Sequence, residues 1–197
     1  MKRHAAQARL ALLAGLLLTT GVHAGPTGEP EPALRARLEA AIRDAREFDD
    51  RYAAEVWFVD MSARLARYAP KALPDAGQRL DFLRVVHAEA ARAGVSPELV
   101  LAVIDVESGF DRYAISVSGA EGYMQIMPFW LAEVGAEGDN LFDPRTNLRM
   151  GCTILRYYLD QARDSYVKAL ARYNGSGGKP DYPYRVLELL NHRWSPN

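Results

Sequence analysis

Residues 95–109 read Val95-Ser96-Pro97-Glu98-Leu99-Val100-Leu101-Ala102-Val103-Ile104-Asp105-Val106-Glu107-Ser108-Gly109. The run carries a full set of helix signals. Ser96 is a good N-cap, Pro97 suits the first helical position, and Glu98 suits the positive end of the dipole. Val95 and Val100 are spaced for a hydrophobic staple, and Gly109 supplies the stop. At about 100° per residue, Val100, Val103 and Ile104 share a side with Glu107. Its carboxylate therefore emerges from the buried stripe at the helix's last turn. Burial and the negative end of the dipole both raise an acid's pKa, so Glu107 can keep a proton near neutral pH and donate it. From this geometry alone, a core ion pair or a solvent-facing carboxylate reads equally well.

Outward from this helix, residues Ala33 to Tyr68 contain neither Pro nor Gly. Apolar or small residues recur there at Leu34, Leu38, Ala41, Ala45, Phe48, Tyr52, Val56, Val59 and Ala63. These steps of three and four predict a long amphipathic helix or two joined ones, ended by Pro70 and Pro74. It reads as a strut packed on the following domain, with a partner-docking arm as the alternative. A second helix is expected from Gln78 to Ala93, stopped by Gly94. Residues 109–142 read as irregular. Asp143-Pro144 then opens a helix whose Leu148, Gly151, Cys152, Leu155 and Leu159 share a face. Ser165 opens a shorter one bearing Tyr166, Ala169, Leu170 and Tyr173, broken by Asn174-Gly175-Ser176-Gly177-Gly178, and Arg185 to His192 closes the chain. The expected fold is all-α, with at most a small irregular or hairpin insert within 109–130.

The first 24 residues are set apart from the fold. Lys2, Arg3 and Arg9 precede and flank a short apolar run, Leu10 to Leu18, and Val22-His23-Ala24 offers small residues before Gly25-Pro26. This is the pattern of a cleavable secretory signal, and the run is short for a bilayer span. The expected organisation is 1–24 signal peptide, 25–78 linker and helical extension, and 79–197 the domain that carries Glu107. Loss of the signal peptide leaves 21 bases against 25 acids. An acidic exported chain argues against nucleic-acid binding through a basic surface. The single cysteine, Cys152, allows neither an internal disulfide nor a cysteine-based zinc cluster. His4, His23, His87 and His192 are scattered, and no metal or other cofactor is expected.

Beyond Glu107 the chain reads Ser108-Gly109-Phe110-Asp111, Ala114-Ile115-Ser116, and Gly119-Ala120-Glu121-Gly122-Tyr123-Met124-Gln125-Ile126-Met127-Pro128. It then reads Ala171-Arg172-Tyr173-Asn174-Gly175. In order and spacing these resemble the motifs of the soluble lytic transglycosylases, whose catalytic domain is similar to goose-type lysozyme. The resemblance covers roughly Phe82 to Trp194. It implies a lysozyme-like helical domain in which Glu107 is the sole catalytic acid/base. It implies that Ser116 and Gln125 bind the N-acetyl and sugar groups, that Met124 lines the cleft floor, and that Tyr173 points its hydroxyl at Glu107. Asn174 joins the substrate-binding set. Gly119 and Gly122 let the backbone turn closely there. The chain departs from the pattern at Tyr123, where Leu is usual, at Trp130, where a small or hydroxyl residue is usual, and at Arg112, where Pro is common.

The resemblance implies a periplasmic enzyme that cleaves the bond between N-acetylmuramic acid and N-acetylglucosamine without water, leaving 1,6-anhydromuramic acid. The implied partners are peptidoglycan glycan strands, and envelope or secretion machinery through the N-terminal helix. No stable membrane insertion is expected, and the protein is expected to be a monomer. Two alternatives stand beside it. A lysozyme-like muramidase would need a second carboxylate such as Asp111 or Glu121 to manage water. A non-catalytic glycan-binding accessory protein would not need Glu107 at all.

Overall fold

The computed structural model describes residues 54–134, 138–175 and 179–195. Of the expected elements, the signal peptide and the stretch 33–53 lie outside the described residues. Among the described residues seven helices follow in order: α1 (54–68), α2 (Ala76–Ala93), α3 (Pro97–Glu107), α4 (Pro128–Val134), α5 (Pro144–Gln161), α6 (Tyr166–Tyr173) and α7 (Asp181–Leu189). A π-helical turn, Leu190–Trp194, ends the series. Among the described residues there is no strand. Two isolated antiparallel bridges, Ile115 to Glu121 and Glu121 to Ile126, mark a small hairpin-like insert.

The six residues Leu99 to Ile104 are all completely buried. A helix apolar on every side belongs at the centre of a domain, and α3 is enclosed by α2, α7 and the π-turn. Its start forms as the local signals require. Ser96 Oγ accepts from Leu99 N at 3.3 Å, and Pro97 occupies the first turn. Glu98 adds a tertiary tie. Its carboxylate accepts from Trp57 Nε1 at 2.7 Å and from Ser96 Oγ at 2.5 Å, fastening α1 to the head of α3. Met61 and Leu65 of α1 are fully buried in the same core as α3, so this part of the extension packs as a strut would.

The chain end is tied to the same helix. Asp105 accepts from Trp194 Nε1 at 3.1 Å and from the Arg193 guanidinium at 3.0 Å. Trp194 lies buried against Tyr68 and Phe110. Across the core, α2 packs on α5 and α5 on α6. Glu89 of α2, only 3% exposed, is gripped by Arg92 at 2.6 Å and by Arg149 of α5 at 3.0 Å. Burial opposes its charge, but the bonds from Arg149 and Arg92 outweigh that and hold its carboxyl below the usual range.

Two expectations shift. A short helix, α4, stands within the stretch read as irregular, and the last helix begins at Asp181, four residues before the expected Arg185. Pro183 had no reason to exclude that start, because a first-turn N–H has no intrahelical partner.

Candidate active site

Glu107 is the last residue of α3, and the chain reverses immediately after it. Ser108 ends the helix with its N–H on Ile104 O at 3.0 Å, while its hydroxyl donates to Tyr123 O at 2.8 Å. Gly109 and Phe110 are consecutive left-handed residues, with φ of 57° and 67°. The reversal carries the Phe110 ring back into the core against Phe82 and Trp194. Glu107 is left partly buried at the helix's carbonyl end.

Its pKa is raised from 4.5 to about 7 by burial, against the opposing pull of a hydrogen bond from Tyr182. No neighbouring carboxylate among the described residues contributes to that shift. The carboxyl group is thus divided between its acid and base forms near neutral pH, as a group that must both donate and accept a proton requires. Tyr182 of α7 donates to Glu107 Oε1 at 2.5 Å. Burial and the Glu107 charge push the Tyr182 phenol well above its ordinary range, so it stays a donor.

This corrects the expectation for Tyr173. Its hydroxyl donates to Met124 O at 2.8 Å, and the phenol on Glu107 is that of Tyr182. Burial first and then the Glu107 charge raise the Tyr173 pKa, so the two groups remain electrostatic neighbours. Tyr182 is not among the expected site residues because the sequence pattern places the start of the last helix at Arg185, beyond it. The available signal was Tyr182, Val186 and Leu189, an i, i+4, i+7 set behind Asp181.

Residues 111–126 build the wall that follows Glu107. Ser116 N donates to Ala120 O and Ser116 Oγ accepts from Ala120 N at 3.0 Å, closing a tight turn at Gly119, whose φ is +85°. Glu121 and Ile126 exchange backbone bonds at 2.9 and 3.0 Å. Gln125 sits in the left-handed region at φ 51°. Its Nε2 donates to Ala114 O and Gly122 O at 3.1 and 3.0 Å, which leaves Oε1 as the acceptor. Arg112 makes its own tie in place of the usual Pro, donating from Nε to Phe142 O at 2.6 Å.

Met124 is a second correction. Its side chain is completely buried and lies over Gly151 of α5, where an added Cβ would come within 2.2 Å of Sδ. The side chain fills the core and cannot form a cleft floor; Met124 takes part in the site's architecture through its backbone, the carbonyl accepting from Tyr173 and the N–H donating to Asn147 Oδ1. Asn174 is exposed at the end of α6, its N–H on Leu170 O. Of the two candidate second carboxylates, Asp111 is exposed with Oδ1 accepting from Tyr113 N, and Glu121 is held in the bridged turn.

The model of the transglycosylase SLT domain family matches residues 84–181 of the chain. A transglycosylase from enterobacteria phage PRD1 is 31% identical over 118 residues, covering 57% of this chain and 44% of that protein. The membrane-bound lytic murein transglycosylase C of Actinobacillus pleuropneumoniae is 33% identical over 98 residues, 45% of this chain and 26% of its own. The chain thus spans less than half the length of these curated relatives. Among solved structures, an inactive mutant of the lytic transglycosylase Slt from Pseudomonas aeruginosa aligns at TM-score 0.46 and 24% identity. That alignment covers 84% of this chain and 32% of the other.

Proposed function

From a chain that belongs to the transglycosylase SLT domain family through residues 84–181, we propose a peptidoglycan lytic transglycosylase with Glu107 as its only acid/base. The observation that carries this reading is the state of Glu107: a desolvated carboxyl with a pKa of about 7, steadied by one phenol and, among the described residues, by no second carboxylate. Ordinary glycoside hydrolysis divides its work between two carboxylates at a set separation. A lone acid that alternates suits a reaction in which the substrate supplies its own nucleophile.

Protonated Glu107 gives its proton to the bridging oxygen as the bond from C1 of N-acetylmuramic acid to that oxygen breaks. The N-acetylglucosamine side leaves as an alcohol. The oxocarbenium-like C1 is steadied by the sugar's own N-acetyl group. Glu107, now a carboxylate, takes the proton from the muramic C6 hydroxyl as that oxygen bonds to C1. No water enters, and Glu107 ends as it began. Gln125 Oε1 and Ser116 serve the sugar's N–H and hydroxyl groups from the 111–126 wall. Tyr182 orients the carboxyl group, and Tyr173 acts at one remove by holding the Met124 carbonyl beside Gln125. The proposed setting is the periplasm, with glycan strands as the partner. No helix among the described residues is long and apolar enough to cross a membrane.

Mass spectrometry of the muropeptides released from purified sacculi tests the reaction type. The expected ends are 1,6-anhydromuramic acid, one water lighter than the hydrolysis product. Reducing muramic acid as the main end would replace this reading by a muramidase and make Asp111→Asn the next variant.

Tyr182→Phe tests the site's electrostatics. The lost bond favoured the charged carboxylate, and hydrogen bonds to charged groups contribute about 1.5–3 kcal/mol. At 1.36 kcal/mol per unit, the Glu107 pKa should rise by about one unit or more. The acid form must be present for bond cleavage, so the alkaline limb of kcat/KM should move up from near pH 7 by that amount while the rate at its plateau falls. Tyr173→Phe should leave the limb in place. A limb that moves with Tyr173 and not with Tyr182 would reverse the two assignments.

A further inference from the structure

Trp194 touches the chain on both sides of Glu107. Its indole N–H donates to Asp105, two residues before Glu107, at 3.1 Å, and its ring lies 5.3 Å from that of Phe110, three residues after it. Arg193 adds a forked bond from Nη1 to the same Asp105 carboxylate, at 3.0 and 3.3 Å. At about 100° per residue, Asp105 and Glu107 stand about 200° apart round α3. Tyr182, near the start of α7, takes the Glu107 side, and the π-turn at the end of α7 takes the Asp105 side. One helix and its final turn thus grip the last turn of α3 from two directions.

The grip depends on an irregular element. From Leu190 the chain widens into the π-turn, closed by Ser195 N on Leu190 O at 2.7 Å, an i to i+5 bond. Such turns are rare and are found frequently at functional sites. Here the turn is braced from behind by α1, where Arg64 donates to Arg193 O at 2.8 Å and the Arg193 guanidinium sits 5.0 Å from the Tyr68 ring. The other end of α7 is less well fixed, because no side chain among the described residues caps its start. From Tyr182 to Leu189 the helix rises only about 10 Å, so a tilt at one end is felt at the other. The titratable groups that act with Glu107 are Tyr182 of α7 and Tyr173 of α6. Asp105 exerts no direct pull on the Glu107 carboxyl group, so its influence there has to pass through the position of α7.

We propose that Asp105 and Trp194 are positioning residues: by closing the end of α7 onto α3, they hold the Tyr182 phenol on the Glu107 carboxyl group. The inference rests on the reading of Glu107 as the acid/base, and it adds to that site the part of the chain that keeps its phenol in place. The Tyr182 to Glu107 bond is 2.5 Å long. A movement of about 1 Å at Tyr182 would stretch it to the limit of a hydrogen bond. Misplacement of that size can cost a reaction about 10²-fold. A tie that served stability alone would leave the phenol seated when Asp105 is lost.

The test follows the Glu107 carboxyl carbon by ¹³C NMR in the full chain, across its titration and below the melting temperature of every variant. In the parent chain, Tyr182→Phe should move the titration to higher pH. Asp105→Ala removes the acceptor of both Trp194 and Arg193. In that background Tyr182→Phe should move the titration by less than half as much, because the phenol has already left the carboxyl group. Asp105→Asn keeps an oxygen for both donors and should restore the full effect. Where Asp105→Ala does not fold, Trp194→Phe gives the same reading, since it keeps a ring against Tyr68 and Phe110 and loses only the N–H. In turnover, Asp105→Ala should lower kcat by about 10–10²-fold with KM near that of the parent, because the 111–126 wall is untouched. A Tyr182→Phe effect of equal size in every background, or a parental kcat in folded Asp105→Ala, would overturn the proposal and leave Asp105 and Trp194 as ties of stability alone. The titration is read without turnover, so a chain that makes no anhydro ends would fail the functional reading while the coupling of Asp105 to Tyr182 still gives its own answer.

Discussion

Glu107→Gln should stop turnover and, at alkaline pH, make the protein more stable than the parent. The first effect follows from one group performing both proton transfers. General acid–base assistance contributes about 10²–10⁴-fold, and an amide can supply neither half of it, so a loss of at least ~10³ is expected. The second effect follows from the same burial that makes the group useful. In the unfolded chain the carboxyl titrates near 4.5, and in the folded protein near 7. Below pH 4.5 both states hold the proton and the folded protein bears no penalty. As pH rises to 7 the unfolded state gives up its proton while the folded state keeps it, so stability falls across that window and levels off above it. A gap of this size corresponds to at most about 3 kcal/mol. Glutamine keeps the acceptor for Tyr182 and carries no charge, so the variant escapes the loss. Melting curves of the two proteins should coincide near pH 4 and separate by several degrees at pH 8. A variant that is inactive but equally stable at both pH values would mean that Glu107 is not desolvated. A variant within tenfold of parental activity would remove it from the mechanism.

What the sequence disclosed about this site follows the range of its signals. The cap, the proline and the staple of α3 act within a few residues of one another, so they could be read directly, and with them the place of Glu107 at the helix's end. The glycine-rich turn between Ser108 and Gln125 was legible for the same reason. Tyr182 was not, because it meets Glu107 across 75 residues of chain, and the glycine-rich break before α7 hid where that helix begins. Met124 failed differently. A methionine beside a polar wall reads the same whether it faces a cleft or the core, and the choice is made by Gly151, whose missing side chain leaves the space that the thioether occupies. Arg112 and Tyr123 stand out as departures, but their consequences, a tie to Phe142 and a ring packed 4.8 Å from that of Phe82, depend on neighbours that spacing does not reveal.

The wall of residues 111–126 stands on one buried amide, and Asn147→Leu should be strongly destabilising. Asn147 is completely buried on α5. Its Oδ1 accepts from Met124 N at 2.8 Å, and its Nδ2 donates to Glu121 O and Leu141 O, both at 2.9 Å. Gly122 is what lets it come so close: with φ at +74°, an added Cβ there would stand 2.4 Å from Nδ2 and 2.5 Å from Leu141 O. Leucine has a similar volume but would leave Met124 N and Leu141 O without these partners and strip Glu121 O of one of its two donors, the other being Ile126 N. Each such group costs about 1–3 kcal/mol, so a loss on the order of 3–5 kcal/mol is expected, with glycan binding failing as the 121–125 turn loosens. Asn147→Asp separates the hydrogen bonds from simple packing. At neutral pH its carboxylate can still accept from Met124 N, but it faces the Glu121 and Leu141 carbonyl oxygens with nothing to donate. Those oxygens disfavour its charge, so the folded-state pKa lies above the unfolded one, and stability is retained at low pH and lost as pH rises through the folded value. The Asp variant should therefore approach the parent near pH 4 and fall away by pH 7, whereas the Leu variant should be deficient throughout. Equal melting temperatures for Asp and Asn at pH 7 would show that the donated bonds contribute little, and the wall would then owe its shape to Gly122 and to Tyr173 on the Met124 carbonyl.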